Sequence, residues 1–136
     1  MKFIIKPLLL TVIFVGSARA EWVEYANNAD RTMVLQYETL KVGKEEELTI
    51  VNIRKNFKSE KSVTLENKKI VYKSVIDKQL IDCGKNLYRN TEVIFFEEWN
   101  AEGKELYKSI IDKVKWHDVK SNSVQEVLMK KVCFSV

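Results

Sequence analysis

The stretch QLIDCGKNLYR, Gln79–Arg89, holds one of the two cysteines in a chain of 136 residues. A cysteine placed here is a nucleophile, a metal ligand, a lipid anchor or half of a disulfide, and each reading belongs to a different kind of protein. Cys83 follows the longest strand-like segment, Lys69 to Asp82. Within it Ile70, Tyr72, Ser74 and Ile76 fall on one face, and Val71, Lys73, Val75 and Asp77 on the other. Both faces are partly apolar, which predicts a strand inside a sheet rather than at its edge. The second cysteine, Cys133, closes a segment of different period. Val124, Val127, Leu128 and Val132 are spaced i, i+3, i+4, i+8, the stripe of a helix. Ser123 followed by Glu126 is a capping-box pattern. Lys130 and Lys131 fall in the last turn, where the helix dipole favours cations. A bond between the cysteines would tie the helix to the sheet.

The N-terminus bears on the redox compartment. Residues 1–20, MKFIIKPLLLTVIFVGSARA, begin with Lys2 and Lys6, continue through the apolar run Leu8–Val15, and end in Ala18-Arg19-Ala20. That is the layout of a secretory signal peptide cleaved before Glu21. The apolar run is well short of the ~20 residues that a spanning helix needs. Without the leader, whose charges are Lys2, Lys6 and Arg19, the formal charge falls from +4 to +1, with 20 basic and 19 acidic residues. The basic character lies mostly in the leader, so no nucleic-acid surface is expected. The remaining residues, 21–136, fit a single domain. Two cysteines in an exported chain are most simply one disulfide. Closing 50 residues stabilises by about 4 kcal/mol in the chain-entropy model.

Other elements follow from turn chemistry and alternation. Glu21–Ala26 and Thr32–Tyr37 read as strands separated by the turn formers Asn27, Asn28 and Asp30. Leu40 and Val42 alternate with polar residues before Gly43. Leu48–Ile53 is a strand with Leu48, Ile50 and Asn52 on one face. Residues 56–67 are polar and read as a long hairpin connection. Thr91–Trp99 is a strand, Asn100-Ala101-Glu102-Gly103 a turn with glycine placed for positive φ, and Lys104–Ile111 the returning strand. Val114–Val119 is short. Phe95 and Phe96 point to opposite faces. One belongs to the core and the other needs a second cover, which is the helix, a loop or a second subunit, the last a hint of a homodimer.

The residues that carry catalysis and metal chemistry are sparse. The single histidine, His117, has Asp118 beside it, but strand neighbours diverge, and no nucleophile is marked by a motif. No catalytic residue is therefore assigned. There is no C-x-x-C, no H-x-x-x-H and no calcium-loop ladder, so no metal site and no cofactor are expected. The acidic runs Glu45–Glu47 and Glu97-Glu98 read as solvated surface, because a calcium site needs several converging oxygens. Lys55, Lys58, Lys61, Lys68, Lys69, Lys73 and Lys78 are interspersed with Glu60 and Glu66. That is the mixed charge of an ordinary soluble surface or, alternatively, a basic patch for an acidic partner.

The succession QLIDC, LYR, TEVIFFEEWNAEGKEL and SVQEVLMKKVC resembles the surface-adhesin protein E family of Gram-negative bacteria. The family shows a strand ending in cysteine, an aromatic-acidic strand leading to a glycine turn, and a C-terminal helix ending in cysteine. The resemblance runs over nearly all of residues 21–136 and is clearest from Ser74 to Cys133. It implies a small antiparallel sheet with a C-terminal helix packed on it, and a Cys83–Cys133 disulfide. It also implies binding to host extracellular-matrix and serum proteins such as vitronectin, laminin and plasminogen, through the basic strand segment before the first cysteine. Lys69 and Lys73 match basic positions there by a gapless count back from Cys83. Ile70, Ile76 and Asp77 make the segment less basic than the family's. The family's adhesin proper resembles a lipoprotein, with a cysteine directly after its leader, where this chain has Glu21.

The sequence therefore predicts an α+β fold, a small antiparallel β-sheet carrying a C-terminal helix and one disulfide. The expected function is that of an exported, non-enzymatic binding module with a protein partner, engaged through Lys69 and Lys73. It has no nucleic-acid partner and no membrane anchor after leader cleavage. The alternative is a soluble periplasmic envelope or enzyme-inhibitor-like protein.

Overall fold

The structure, a computed structural model, describes residues 21–39, 42–45, 47–111 and 115–133. The expected leader, Leu40 and Val114 lie outside the described residues. The strands are β1 (Trp22–Asn27), β2 (Met33–Glu38), β3 (Gly43–Glu45), β4 (Leu48–Leu65), β5 (Lys68–Asp82), β6 (Leu87–Phe96), β7 (Glu105–Ile110) and β8 (His117–Asp118). One helix, α1 (Val124–Cys133), follows. All strand pairings are antiparallel, in the order β1-β2-β4-β5-β6-β7, with β3 added to β4 and β8 to β6. β5 lies inside the sheet between β4 and β6, as its two-sided apolar pattern requires.

The polar segment 56–67 is not a loop. It is the second half of an 18-residue β4. The turn to β5 is only Glu66-Asn67, with φ of 50° and 64°. Two central residues at positive φ make the tight turn whose twist suits a two-residue hairpin, and asparagine accepts that conformation readily. The Glu66 side chain hydrogen-bonds Tyr107, which helps hold a glutamate in this uncommon backbone region. Segment 56–67 reads as loop because its residues are polar, yet Val63 and Leu65 still alternate with polar neighbours. Its polarity reflects the exposure of Lys58 to Ser62, Thr64 and the turn rather than absence of pairing.

The registers show why so much of this segment is exposed. β4 pairs with β5 from Thr49↔Ile81 to Asn56↔Ser74, then resumes at Lys61↔Tyr72 after a bulge. β2 ends against β4 at Met33↔Phe57, and β6 meets β5 only from Ser74↔Phe96 onward. Beyond that line β4 and β5 pair only with each other. Residues 61–72 thus form a two-stranded ribbon beyond the main sheet, one side of which packs back toward β6 and β7 through buried Ile70, Tyr72 against Phe95 and Glu66 against Tyr107.

The core sits at the other end, under α1. Leu128, Met129 and Val132 pack with Val51, Ile53 and Ile81, joined by Tyr25, Tyr37 and Tyr88. The inward faces of β4 and α1 are set by packing. Leu48, Ile50 and Asn52 share one face of β4, as alternation predicts, and the buried set is the other, Thr49, Val51 and Ile53. The buried helix stripe is Leu128, Met129 and Val132, while Val124 and Val127 are exposed. In both cases an apolar residue occurs on each side of the element, and which side faces inward is set by docking rather than local pattern. The Phe95/Phe96 expectation also changes: both rings are half-buried, and neither belongs to the core cluster.

The helix start matches its sequence signal. Ser123 Oγ accepts from the Glu126 N–H at 3.2 Å, and Glu126 Oε1 accepts from the Asn122 N–H at 3.1 Å. Cys83 and Cys133 form a disulfide with Cα atoms 5.8 Å apart. It joins the end of β5 to the end of α1, so the helix is fixed on the sheet at its last turn.

Candidate functional site

Lys69 and Lys73 lie on β5 at i and i+4, with Val71 between them. Alternation places all three on one side of the strand, over roughly 13 Å. The other side carries Ile70, which is buried, and Tyr72, whose ring packs edge-on against Phe95 at 4.7 Å and Phe57 at 5.8 Å. Phe95 in turn meets Tyr107 at 6.3 Å. This row of rings runs across β4, β5, β6 and β7 and stiffens the base of the ribbon through edge-to-face contacts.

The two lysines have different roles. Lys69 is exposed on the ribbon opposite Thr64 and makes no ion pair among the described residues. The Lys73 side chain is only 23% exposed, and its Nζ lies 3.3 Å from Glu98 Oε1. The same ammonium sits 4.5 Å from the centre of the Trp99 ring. Lys73 is therefore a positioned cation, and the surface around it includes Trp99, which is 45% exposed.

The turn at Asn100–Gly103 is read from the sequence, but the role of Trp99 and the turn in fastening the ribbon is not. The Trp99 indole N–H donates to the Phe57 carbonyl at 2.7 Å, inside the β4 bulge. The Asn100 N–H donates to Asn56 Oδ1 at 2.7 Å, and Asn56 Nδ2 donates to Asn100 Oδ1 at 2.9 Å. Ser74 is fully buried; its hydroxyl donates to the Glu98 carbonyl and accepts from the Ala101 N–H. Gly103, at φ +76°, lets the turn close: a Cβ there would meet Glu98 Cγ at 2.8 Å. The available sequence signal was Trp99-Asn100 just ahead of a glycine turn, next to a strand with a lone serine.

His117 and Asp118 are exposed on the two-residue β8, opposite Tyr88 and Leu87. The His117 ring lies 5.5 Å from that of Tyr88. No group of three or more His, Cys, Asp or Glu side chains is arranged to hold a metal ion among the described residues. No helix among them is long and apolar enough to cross a membrane.

The family model for surface-adhesin protein E matches residues 22–134. The chain belongs to the surface-adhesin protein E family. Protein E of Haemophilus influenzae has the same fold: over 86% of each chain the TM-score is 0.61 at 13% identity. A second crystal form of that protein aligns over 92% of this chain and 96% of the other, with a TM-score of 0.58 at 10% identity. Protein E from non-typeable Haemophilus influenzae aligns over 91% of this chain and 82% of the other, with a TM-score of 0.60 at 12% identity. No curated protein sequence matches this chain significantly. A surface-adhesin family implies an exported or cell-surface location and a binding role.

Proposed function

We propose that this adhesin E protein is a non-enzymatic binding module that engages a host extracellular-matrix or serum protein through the ribbon. Lys69, Val71, Lys73 and Trp99 carry the contact. The supporting observation is that the outer side of one stiffened strand presents an exposed cation, an exposed valine and a cation held on an exposed indole. Interfaces draw affinity from aromatic anchors at their centre, while peripheral charges mainly tune the approach.

The test is a solid-phase assay against immobilised vitronectin, laminin and plasminogen. Lys69→Glu is expected to slow association and make it less salt-sensitive. Lys73→Glu is expected to lose more, because it also places a carboxylate beside Glu98 and removes the cation from Trp99. Saturable binding that the Lys69→Glu/Lys73→Glu double variant retains in full would sink the proposal.

We further infer that the sheet face opposite α1 receives a second copy. Ile50, Leu80, Ile76 and Ile94 are half-buried there and share that face through the pairs Ile50↔Leu80 and Ile76↔Ile94.

A further inference from the structure

Two adjoining cavities open beside the start of α1, far along β5 from the ribbon. One, of about 520 Å³, is walled by Trp116, Tyr88, His117 and Lys120. The other, of about 360 Å³, runs beneath it to Asp77, Asn90 and Tyr25. Tyr88, Ser123 and Gln125 line both, so they form one groove. Either volume falls in the range of small-molecule sites, ~300–1,000 Å³.

The floor holds polar groups with unspent bonding capacity. Asp77 is 93% buried by its 7% exposure, and its Oδ2 meets Lys55 Nζ at 3.1 Å. Its Oδ1 has no donor among the described residues. Gln79 and Gln125 exchange amide hydrogen bonds, and Gln79 Nε2 also donates to Asn90 Oδ1 at 3.0 Å. That orients the Asn90 amide and leaves its Nδ2 without an acceptor among the described residues. Burial, then the Asp77 carboxylate, pushes the Tyr25 phenol above its ordinary pKa, so its hydroxyl keeps its proton as a donor. The rim supplies a flat apolar surface. Trp116 is 37% exposed, with the Arg89 guanidinium held 5.1 Å from the ring centre.

The formal charges of the lining cancel, with Asp77 and Asp118 against Lys55 and Lys120, and the Arg89 guanidinium at the rim is held over the Trp116 ring. A phosphate or nucleotide calls for several converging cations, whereas Lys55 is paired with Asp77; an acyl chain calls for an unbroken apolar wall, whereas the groove interrupts Leu35, Ile53 and Val124 with Asp77, Gln79, Asn90 and Gln125. It offers an aromatic platform above oriented amide, phenol and carboxylate groups. The complementary ligand is uncharged, with one apolar face and a rim of hydroxyls. We propose that the Trp116–Asp77 groove binds a neutral pyranose saccharide, with the C–H face of one ring on Trp116 and hydroxyls farther along the groove on Asp77, Asn90 and Tyr25.

Saturation-transfer NMR with the methyl pyranosides of glucose, galactose, mannose, N-acetylglucosamine and N-acetylgalactosamine tests this, alongside an array of neutral, sialylated and sulfated glycans. The expected result is saturable binding of a neutral pyranoside, with transfer strongest to the protons of one ring face. Trp116→Ala is expected to weaken it about tenfold, and Trp116→Phe to restore most of the loss. Trp116 is at the surface and outside the core, so these variants keep the fold. Asn90→Ala is expected to weaken binding through lost hydroxyl contacts. The Lys69→Glu variant is expected to bind saccharide like the unaltered protein, which separates this site from the ribbon. No binding by any panel member overturns the proposal. So does affinity untouched by Trp116→Ala, or recognition of charged glycans only.

Discussion

Ser74 shows how much one hydroxyl can hold. It is fully buried and satisfies both the Glu98 carbonyl and the Ala101 N–H, so it links β5 to the Trp99 turn. Ser74→Ala takes the hydroxyl partner from two backbone groups in part-buried bonds, and a group left unpaired away from water costs about 1–3 kcal/mol. The variant is expected to lower stability by about that amount in urea titration and to loosen the ribbon base, seen as faster amide exchange at Trp99 and Ala101. A Ser74→Ala protein as stable as its parent would show that the clamp contributes nothing. Tyr25 carries a different prediction. Its pKa is raised in the folded protein by desolvation first and by the Asp77 carboxylate second. The unfolded chain releases a phenol proton near pH 10, as usual for tyrosine. Above that pH the unfolded state binds fewer protons than the folded one, so stability falls as pH rises; below it, Tyr25 gives no pH dependence. A tyrosinate absorbance titration is expected to leave at least one of the five phenols protonated until the sheet unfolds. Five phenols ionising with sheet signal intact would refute it. Neither residue stood out in the sequence. Ser74 looked like one polar position in an alternating strand, and Tyr25 like an ordinary aromatic, because the groups that define their roles lie 24 and 52 positions away.

At the scale of elements, what was legible depended on whether the signal was local. The cap of α1, its end at Cys133 and the Gly103 turn were legible because each rests on a few adjacent residues with one conformational solution. The inward face of α1 was not. Val124, Val127, Leu128 and Val132 make a plausible stripe, but the disulfide and the core fix the rotation so that Met129 replaces the first two valines. The same holds for the ribbon, where the polarity of its exposed residues concealed pairing. The helix assignment is testable by contrast. Leu128→Ala is expected to cost about 2–5 kcal/mol as a fully buried leucine. Val127→Ala, at an exposed position, is expected to change stability by no more than about 0.5 kcal/mol. Thermal or denaturant midpoints measure both, and equal effects would mean that the helix is rotated from the position described. Of the candidate site, Lys69 and Lys73 were legible as positions, by resemblance. Their division into a free and a fixed cation was not, since Glu98 and Trp99 reach Lys73 only through the β6–β7 turn.

For the whole molecule, one helix covers one end of one face of the sheet, and the consequences fall on the other face. There the Arg54 guanidinium lies 4.4 Å from the centre of the Trp22 ring and donates to Gln36 Oε1 at 2.8 Å. Beside this polar end, the apolar row Ile50, Leu80, Ile76 and Ile94 is only half-buried. Single exposed apolar residues are ordinary, but neighbouring ones on a shared face form a patch that association would shield. A stable interface takes roughly 800 Å² from each partner, an area that a sheet of this breadth can supply on one side. The two-fold arrangement usual for identical subunits would set the same row against itself. Light scattering of the purified protein is therefore expected to give the mass of two chains. Ile94→Lys places a charge in the middle of that row, opposite Ile76 on β5 and Lys108 on β7. The variant is expected to run as a single chain with the Cys83–Cys133 bond and the ribbon intact, and therefore with unchanged monovalent affinity for an immobilised partner but faster release from a densely coated surface. A parent protein with the mass of one chain across its working concentrations, or an Ile94→Lys variant that remains paired, would remove the open face as the site of association.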